Sequence, residues 1–147
     1  MTIDITVFGS PAPQGSKSFR GFAGNGRAIM TESSKKVRPW RQDVKAAAEI
    51  SRAGAEPIDA PIRVRMIFTM PKPASAPKTR RTYPAKMPDL SKLVRSTEDA
   101  LTDAGIWRDD SRVVECLARK VYPNEDPEAL NTPGVRIFID LYAAQAA

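Results

Sequence analysis

The stretch PDLSKLVRSTEDALTDAGIWRDD, residues 88–110, contains the clearest helix pattern in the chain and ends just before a strand. Its apolar residues recur every three to four positions, which predicts a helix over 89–104. Asp89 stands where a carboxylate caps free backbone N–H groups and meets the positive end of the helix. Gly105 stands where a helix commonly stops. The other predicted elements lie on either side of this helix and strand in the sequence.

Alternating and periodic segments on both sides of this helix predict a single α/β (α+β) domain over residues 1–147. The sheet is predicted to be mixed, with about four or five strands packed against two main helices. The segment 112–122 is apolar on both sides, which predicts a central strand with Cys116 in the core. The other elements are predicted over residues 2–8, 27–30, 37–53, 62–70 and 135–141.

The chain of 147 residues contains no histidine and a single cysteine, which excludes several kinds of site. Without imidazole there is no Ser-His-Asp or Cys-His catalysis, and one thiol makes neither an internal disulfide nor a thiolate zinc cluster. Any metal must therefore sit on oxygen ligands, which favours Mg²⁺ or Mn²⁺. No apolar run approaches the about 20 residues of a membrane span. We expect a cytoplasmic protein without a membrane segment or a small-molecule cofactor.

The net charge of +6 is unevenly distributed along the chain. Residues 10–41 net +6 and residues 71–88 net +5, which leaves −5 for the remainder. The proline-rich 71–88 and the Gly/Ser/Pro-rich 10–36 are predicted to be basic mobile loops. They either bind a polyanion such as DNA or are simply solvated basic loops, and Tyr83 either stacks on an unpaired base or is an exposed loop residue. The candidate DNA-binding residues are Lys17, Arg20, Lys35, Lys36, Lys78, Arg80, Arg81 and Tyr83.

Acidic residues stand at both ends of the 88–110 stretch. A helix start and a strand start can converge, and we expect this to place Asp89 beside Asp110. Two carboxylates about 4 Å apart repel by roughly 4 kcal/mol at an effective dielectric of 20, so such a pair needs a proton or a cation. A divalent ion there suits phosphodiester hydrolysis. The same spacing also fits a simple N-cap at Asp89 and a simple turn at Asp109-Asp110.

This segment resembles the RusA family of Holliday junction resolvases, which is common in phages and prophages. The family pattern is Asp-x-Asp-Asn-x-x-Lys on a helix, followed by Asp-Asp before a strand. Here the residues are Asp89-Leu90-Ser91-Lys92-Leu93-Val94-Arg95 and then Asp109-Asp110. The ALTDAG stretch (100–105), the later Arg119-Lys120 and the opening strand followed by PAPQGSK (11–17) extend the resemblance over nearly the whole chain.

The resemblance implies a homodimeric, Mg²⁺-dependent endodeoxyribonuclease, with Mn²⁺ as the other candidate ion, that resolves four-way DNA junctions in recombination and repair. It implies metal binding by Asp89 and Asp110, with Asp109 as the next candidate ligand. It also implies a catalytic set of these three residues with the cations of Lys92 and Arg95.

Two positions depart from the family pattern. Ser91 stands where the second helix aspartate is expected, and Arg95 stands where the lysine is expected. The alternative hypothesis is therefore a junction-binding or nucleic-acid-binding protein with weakened catalysis.

Overall fold

The computed structural model describes residues 2–15, 17–22, 28–32 and 35–142 of the chain. A short 3₁₀ turn over Asp110–Arg112 precedes the fifth strand. The predicted boundaries of the long helices and of most strands are confirmed to within one or two residues. The strands are β1 (Thr2–Phe8), β2 (Lys17–Phe22), β3 (Ala28–Glu32), β4 (Ile62–Thr69), β5 (Val113–Val121) and β6 (Gly134–Leu141), and the helices are α1 (Val37–Arg52) and α2 (Leu90–Asp103).

The main sheet has four strands in the order β1-β6-β4-β5. Strand β6 pairs antiparallel with both β1 and β4, whereas β4 and β5 are parallel. The mixed α+β fold with two helices is thus confirmed. Among the described residues, no helix combines the length and apolar character that crossing a bilayer requires.

One face of this sheet carries the hydrophobic core because apolar and polar residues largely alternate along β1, β4 and β6. In β4, Val64, Met66 and Phe68 are fully buried on the helix side. Arg63 and Arg65 lie on the opposite side, as the alternation predicts. Helices α1 and α2 pack together over the buried face, with Trp40, Val44, Leu93, Leu101 and Trp107 among the core residues.

Helix α2 and strand β5 run in opposite directions side by side. The start of α2 lies at the far end of β5, because the Lys120 ammonium donates hydrogen bonds to the carbonyls of Lys86 and Pro88 at 2.8 and 2.9 Å. The end of α2 lies at the near end of β5, since only a short turn at Gly105 and the Asp110–Arg112 turn intervene. This arrangement places Asp89 at the start of α2 and Asp110 near its end.

Strand β5 is an edge strand, so the prediction of a central strand is wrong. Its apolar composition does not reflect burial on both faces, because Val114 and Leu117 are 56% and 53% exposed. Cys116 is also exposed, which corrects its predicted place in the core. An edge strand with apolar side chains on its surface is unusual unless something covers it.

The two basic segments have more structure than their composition predicts. Residues 17–22 and 28–32, within the first segment, pair as an antiparallel two-stranded sheet of β2 and β3. The segment 71–88 has no helix or strand but is tied to the loop after β5 by hydrogen bonds. Its mobility stays a prediction.

Candidate active site

Asp89 occupies the N-cap position of α2 but does not use its side chain as a cap. The backbone is extended there, with φ −66° and ψ 135°, and the side chain makes no capping hydrogen bond. The carboxylate is 60% exposed, and the Lys92 ammonium stands 4.0 Å from it. The interpretation of Asp89 as a plain N-cap is therefore not supported, and its oxygens remain open to another partner.

Asp110, in contrast, is held by a short chain of hydrogen bonds. The hydroxyl of Thr102 donates to the carboxylate of Asp110. The indole N–H of Trp107 donates to the same hydroxyl at 2.7 Å and lies 3.4 Å from the carboxylate oxygen. Because Trp107 is only 1% exposed, its ring fixes the direction of that N–H. One face of Asp110 is thus positioned by the core while the residue stays exposed to solvent.

Negative charge accumulates around Asp110. Burial, followed by the charges of Asp110 and Asp99, raises the pKa of Glu98 to about 7. Burial also raises the pKa of Asp99, against the charge of Arg41, with Asp110 contributing in the same direction. Partial burial and the charge of Glu98 raise the pKa of the Cys116 thiol to about 11. A bound cation would relieve this crowding of carboxylates.

The structure does not place Asp89 beside Asp110 within one chain. Thirteen residues separate Asp89 from Thr102, the partner of Asp110. At 1.5 Å per residue this is about 20 Å along the helix axis. The expected convergence fails because the turn after α2 is too short to carry Asp110 back to the start of the helix.

Asp109 has a local structural role. Its carboxylate accepts a hydrogen bond from the backbone N–H of Ser111 at 2.7 Å and caps the 3₁₀ turn. That hydrogen bond holds the pKa of Asp109 below its usual value. The interpretation of Asp109 as a turn residue is supported, and Asp110 is the member of the pair that faces the other acids.

Ser91, Lys92 and Arg95 lie in the first two turns of α2, at the Asp89 end. Ser91 and Arg95 are exposed. Lys92 is the cation next to Asp89, and its backbone carbonyl accepts from Gln14 at 2.9 Å, so the loop after β1 docks here. The catalytic set implied by the resemblance is thus divided: Asp89, Lys92 and Arg95 at one end of α2, Asp109 and Asp110 at the other.

Whether one chain can bind a divalent metal depends on this separation of Asp89 from Asp110. Within the part of the chain that the structure describes, no three Asp, Glu or Cys side chains come together as a metal-binding group. Asp89 offers open carboxylate oxygens, and Asp110 sits in a carboxylate-rich surrounding, both of which suit a hard cation. Within the described part of one chain, these two candidate ligands lie at opposite ends of α2 and do not come together.

The candidate DNA-binding residues fall into three groups. Lys35 and Lys36 are exposed just before α1, and Lys78 and Arg80 are exposed in the 71–88 segment. Lys17 and Arg20 belong to β2, but their side chains lie outside the described part of the structure.

Arg81 and Tyr83, the third group, are engaged in the fold. The Arg81 guanidinium pairs with Asp126 at 2.7 Å and stacks on the Tyr83 ring at 4.9 Å from its centroid. The Asp126 side chain is only 2% exposed and also pairs with Arg119. This pair anchors the 71–88 segment, although Tyr83 is itself 65% exposed.

Sequence reasoning missed Glu98, Thr102 and the indole N–H of Trp107. Glu98 and Thr102 are four residues apart on α2, so they share a face, and Trp107 and Asp110 follow directly after the helix. The sequence shows this spacing. It does not by itself indicate a functional role, because threonine and tryptophan are ordinary core residues.

Comparison with known proteins bears on the whole chain. A family model described as endodeoxyribonuclease RusA matches residues 9–139. A comparison with curated proteins found no match. The matched range contains both halves of the candidate site and both basic segments, and members of this family cut DNA at Holliday junctions. The chain belongs to the RusA endodeoxyribonuclease family.

Proposed function

We propose that this protein is a homodimeric Holliday junction resolvase that hydrolyses phosphodiesters with Mg²⁺ or Mn²⁺, in a site shared between two chains. The observation that carries the proposal is the separation of Asp89 and Asp110 to opposite ends of α2. Among the described residues of one chain, neither has the partners of a complete metal site. Both belong to the functional pattern of the family.

Two-fold symmetry offers a simple way to bring the halves together. If the axis of a dimer crosses α2 near its middle, each end of the helix lies next to the opposite end of its counterpart. Asp89 of one chain then lies beside Asp110 of the other, and the same interface generates a second, identical site. Two symmetric sites are what symmetric nicking of a four-way junction requires.

The surface between α2 and β5 supports such an interface. Val94 on α2 is partly buried, and Val114 on the edge strand is 56% exposed. Cys116 on the same strand is exposed, and Glu98 of α2 is close enough for its charge to raise the pKa of that thiol. A second copy packed against α2 and β5 would cover the apolar edge strand.

The side chains divide the work of the proposed reaction. Asp89 and Asp110 would hold the cation, with Thr102 and Trp107 fixing the direction of the Asp110 carboxylate. A bound divalent ion would polarise the phosphoryl oxygen and activate water. Lys92 and Arg95, on the exposed face near Asp89, would bind the phosphate and stabilise its developing charge.

The experiment is junction cleavage by the purified protein with and without divalent metal. We expect cutting in Mg²⁺ or Mn²⁺ and none in EDTA, and we expect Asp89→Asn and Asp110→Asn each to lose cleavage by at least about a hundredfold, roughly 2.7 kcal/mol of transition-state stabilisation. Asp103→Asn is the matched control, because Asp103 pairs with Arg41 at 2.9 Å and belongs to neither half-site. Full activity in both test variants would contradict the assignment.

The alternative is a junction-binding protein whose catalysis has weakened. It is favoured by Ser91, an uncharged residue exposed in the first turn of α2 at the position of an expected aspartate. Wild-type protein that binds four-way junctions without cutting them, together with a Ser91→Asp variant that cuts, would establish this alternative.

A further inference from the structure

A cavity of about 410 Å³ opens next to the start of α2 and has no assigned role. It is lined by the loop after β1, the segment after β4, the end of β5 and the residues just before Asp89. Six of its fourteen lining residues are prolines, and Tyr122 adds an aromatic ring. A cavity of this size holds a small organic group such as one nucleotide.

The charged groups of this cavity all have the same sign. Of the residues with a described position, Lys36, Lys86 and Lys120 line it, and no carboxylate does. Among the residues that the structure describes, these three lysines make no ion pair. The ammonium of Lys120 donates hydrogen bonds to two backbone carbonyls. The cavity therefore combines an apolar wall with uncompensated positive charge.

Its position relates it to the proposed active site. Pro88 lines the cavity, and Asp89 is the next residue in the chain. The carbonyl of Pro88 accepts a hydrogen bond from Lys120 at 2.9 Å, so the cavity wall and the start of α2 are connected directly. A strand that passes Asp89 would meet this cavity within one nucleotide step.

We infer that this cavity binds one nucleotide of the cleaved DNA strand, next to the phosphate that is cut. The phosphate would lie on the ammonium groups of Lys36 and Lys86, and the base would rest on the prolines and Tyr122. Nucleotide binding in the cavity rests on the proposed function only in taking junction DNA as the substrate. The position of that nucleotide next to the cut phosphate also rests on the proposed role of Asp89.

The pattern of charges favours this occupant over an apolar peptide. An apolar peptide would gain from the prolines and Tyr122 but not from the ammonium groups of Lys36 and Lys86, whereas a nucleotide uses both. Stacking of bases on flat side chains tolerates any sequence, which suits an enzyme that recognises the shape of a junction.

The test is a scan of four-way junctions in which one phosphate at a time is an uncharged methylphosphonate, with dissociation constants measured in EDTA. In wild type, neutralising the phosphate that the cavity binds should weaken binding about eightfold at 0.1 M salt, since one contact changes log K by about 0.9 per decade of salt. The same substitution should have no effect in a Lys36→Met/Lys86→Met variant. Both lysines are exposed, so the variant should fold normally.

Lys45→Met is the matched control, because Lys45 is exposed on α1 and does not line this cavity. It should keep the full methylphosphonate effect. An abasic residue at the same nucleotide should also weaken binding in wild type, and less so in the double variant.

The outcomes separate this inference from the proposed function. One outcome is that wild type cleaves junctions while every methylphosphonate effect persists in the double variant. That result would overturn nucleotide binding in the cavity and leave the proposed nuclease activity intact. An abasic site without effect would overturn binding of a whole nucleotide. The full pattern without cleavage in Mg²⁺ or Mn²⁺ would support the cavity and contradict the nuclease, and no junction binding at all would contradict both.

Discussion

At the scale of single residues, the two proposed metal ligands differ in how they are held. Asp110 accepts from Thr102, which in turn accepts from the buried indole of Trp107. In the described part of the chain, the ion partner of the Asp89 carboxylate is the ammonium of Lys92 at 4.0 Å. Asp110 is therefore oriented in advance, whereas Asp89 can adjust when a partner arrives.

The hydroxyl of Thr102 should matter for metal affinity. In Thr102→Val the Asp110 carboxylate loses its donor, and the Mg²⁺ concentration for half-maximal cleavage should rise about tenfold. Thr102→Ser, which keeps the hydroxyl, should restore the wild-type value. The measurement is a Mg²⁺ titration of junction cleavage together with junction binding in EDTA, which should not change. An unaltered titration curve in Thr102→Val would remove the positioning role.

Glu98 should make the folded protein less stable as the pH rises. Its pKa is raised to about 7 in the folded chain from an ordinary value of 4.5, so the folded state holds a proton that the unfolded state has lost. The contribution of Glu98 to stability should therefore be fully present below pH 4.5 and be lost as the pH rises through 7. Glu98→Gln should increase the free energy of unfolding in EDTA by about 1 kcal/mol at pH 8, after allowance for solvent screening, and by less at pH 5.

Denaturant unfolding of wild type and Glu98→Gln at the two pH values measures this difference. Asp103→Asn serves as the control, because Asp103 is exposed. A Glu98→Gln effect that is equal at pH 5 and pH 8 would mean that the carboxylate does not carry a raised pKa.

At the scale of elements, periodicity predicted the helices and most strands because each has a clear apolar stripe or alternation. It did not reveal the order of strands in the sheet. Strand β5 looks central, since VVECLARKV is apolar on both faces, yet it lies at the edge with Val114 exposed. Apolar residues exposed on an edge strand have the same pattern in the sequence as residues buried inside the sheet.

The positions of the acids were partly predictable. The residues between Asp103 and Asp110 make only a short turn, which keeps Asp110 at the end of α2 and far from Asp89. The hydrogen bonds of Thr102 and Trp107 were not predictable, because they depend on how the indole packs in the core. The pairing of Arg81 with buried Asp126 was also hidden, since the two residues are 45 positions apart.

The basic 71–88 segment should act through its exposed cations. Lys78 and Arg80 are exposed, whereas Arg81 is bound to Asp126. A Lys78→Met/Arg80→Met variant should reduce the slope of log K against log salt for junction binding by up to about 1.8, or 0.9 for each lost phosphate contact. It should leave the thermal unfolding midpoint unchanged.

Arg81→Met provides the contrast. It should lower the thermal unfolding midpoint because it removes one of two guanidinium partners of a buried carboxylate. A salt slope that is unchanged in Lys78→Met/Arg80→Met would show that this segment does not touch DNA.

At the scale of the whole molecule, the candidate metal ligands and the exposed edge strand lie along one line. The absence of histidine leaves oxygen ligands for any metal. The acids that would supply those ligands lie at the two ends of α2, and the exposed edge strand runs between them. A dimer formed along this line would cover the edge strand and complete two sites at once.

The most direct test of a shared site is to mix subunits of Asp89→Asn and Asp110→Asn, each inactive alone. In a heterodimer with shared sites, one site has both substitutions and the other has neither. The mixture should therefore regain nicking of one strand in Mg²⁺, at up to about a quarter of the wild-type site concentration when the subunits exchange freely, without paired resolution. If the mixture stays as inactive as its components, although mass spectrometry shows heterodimers, each site lies within one chain and the account is contradicted.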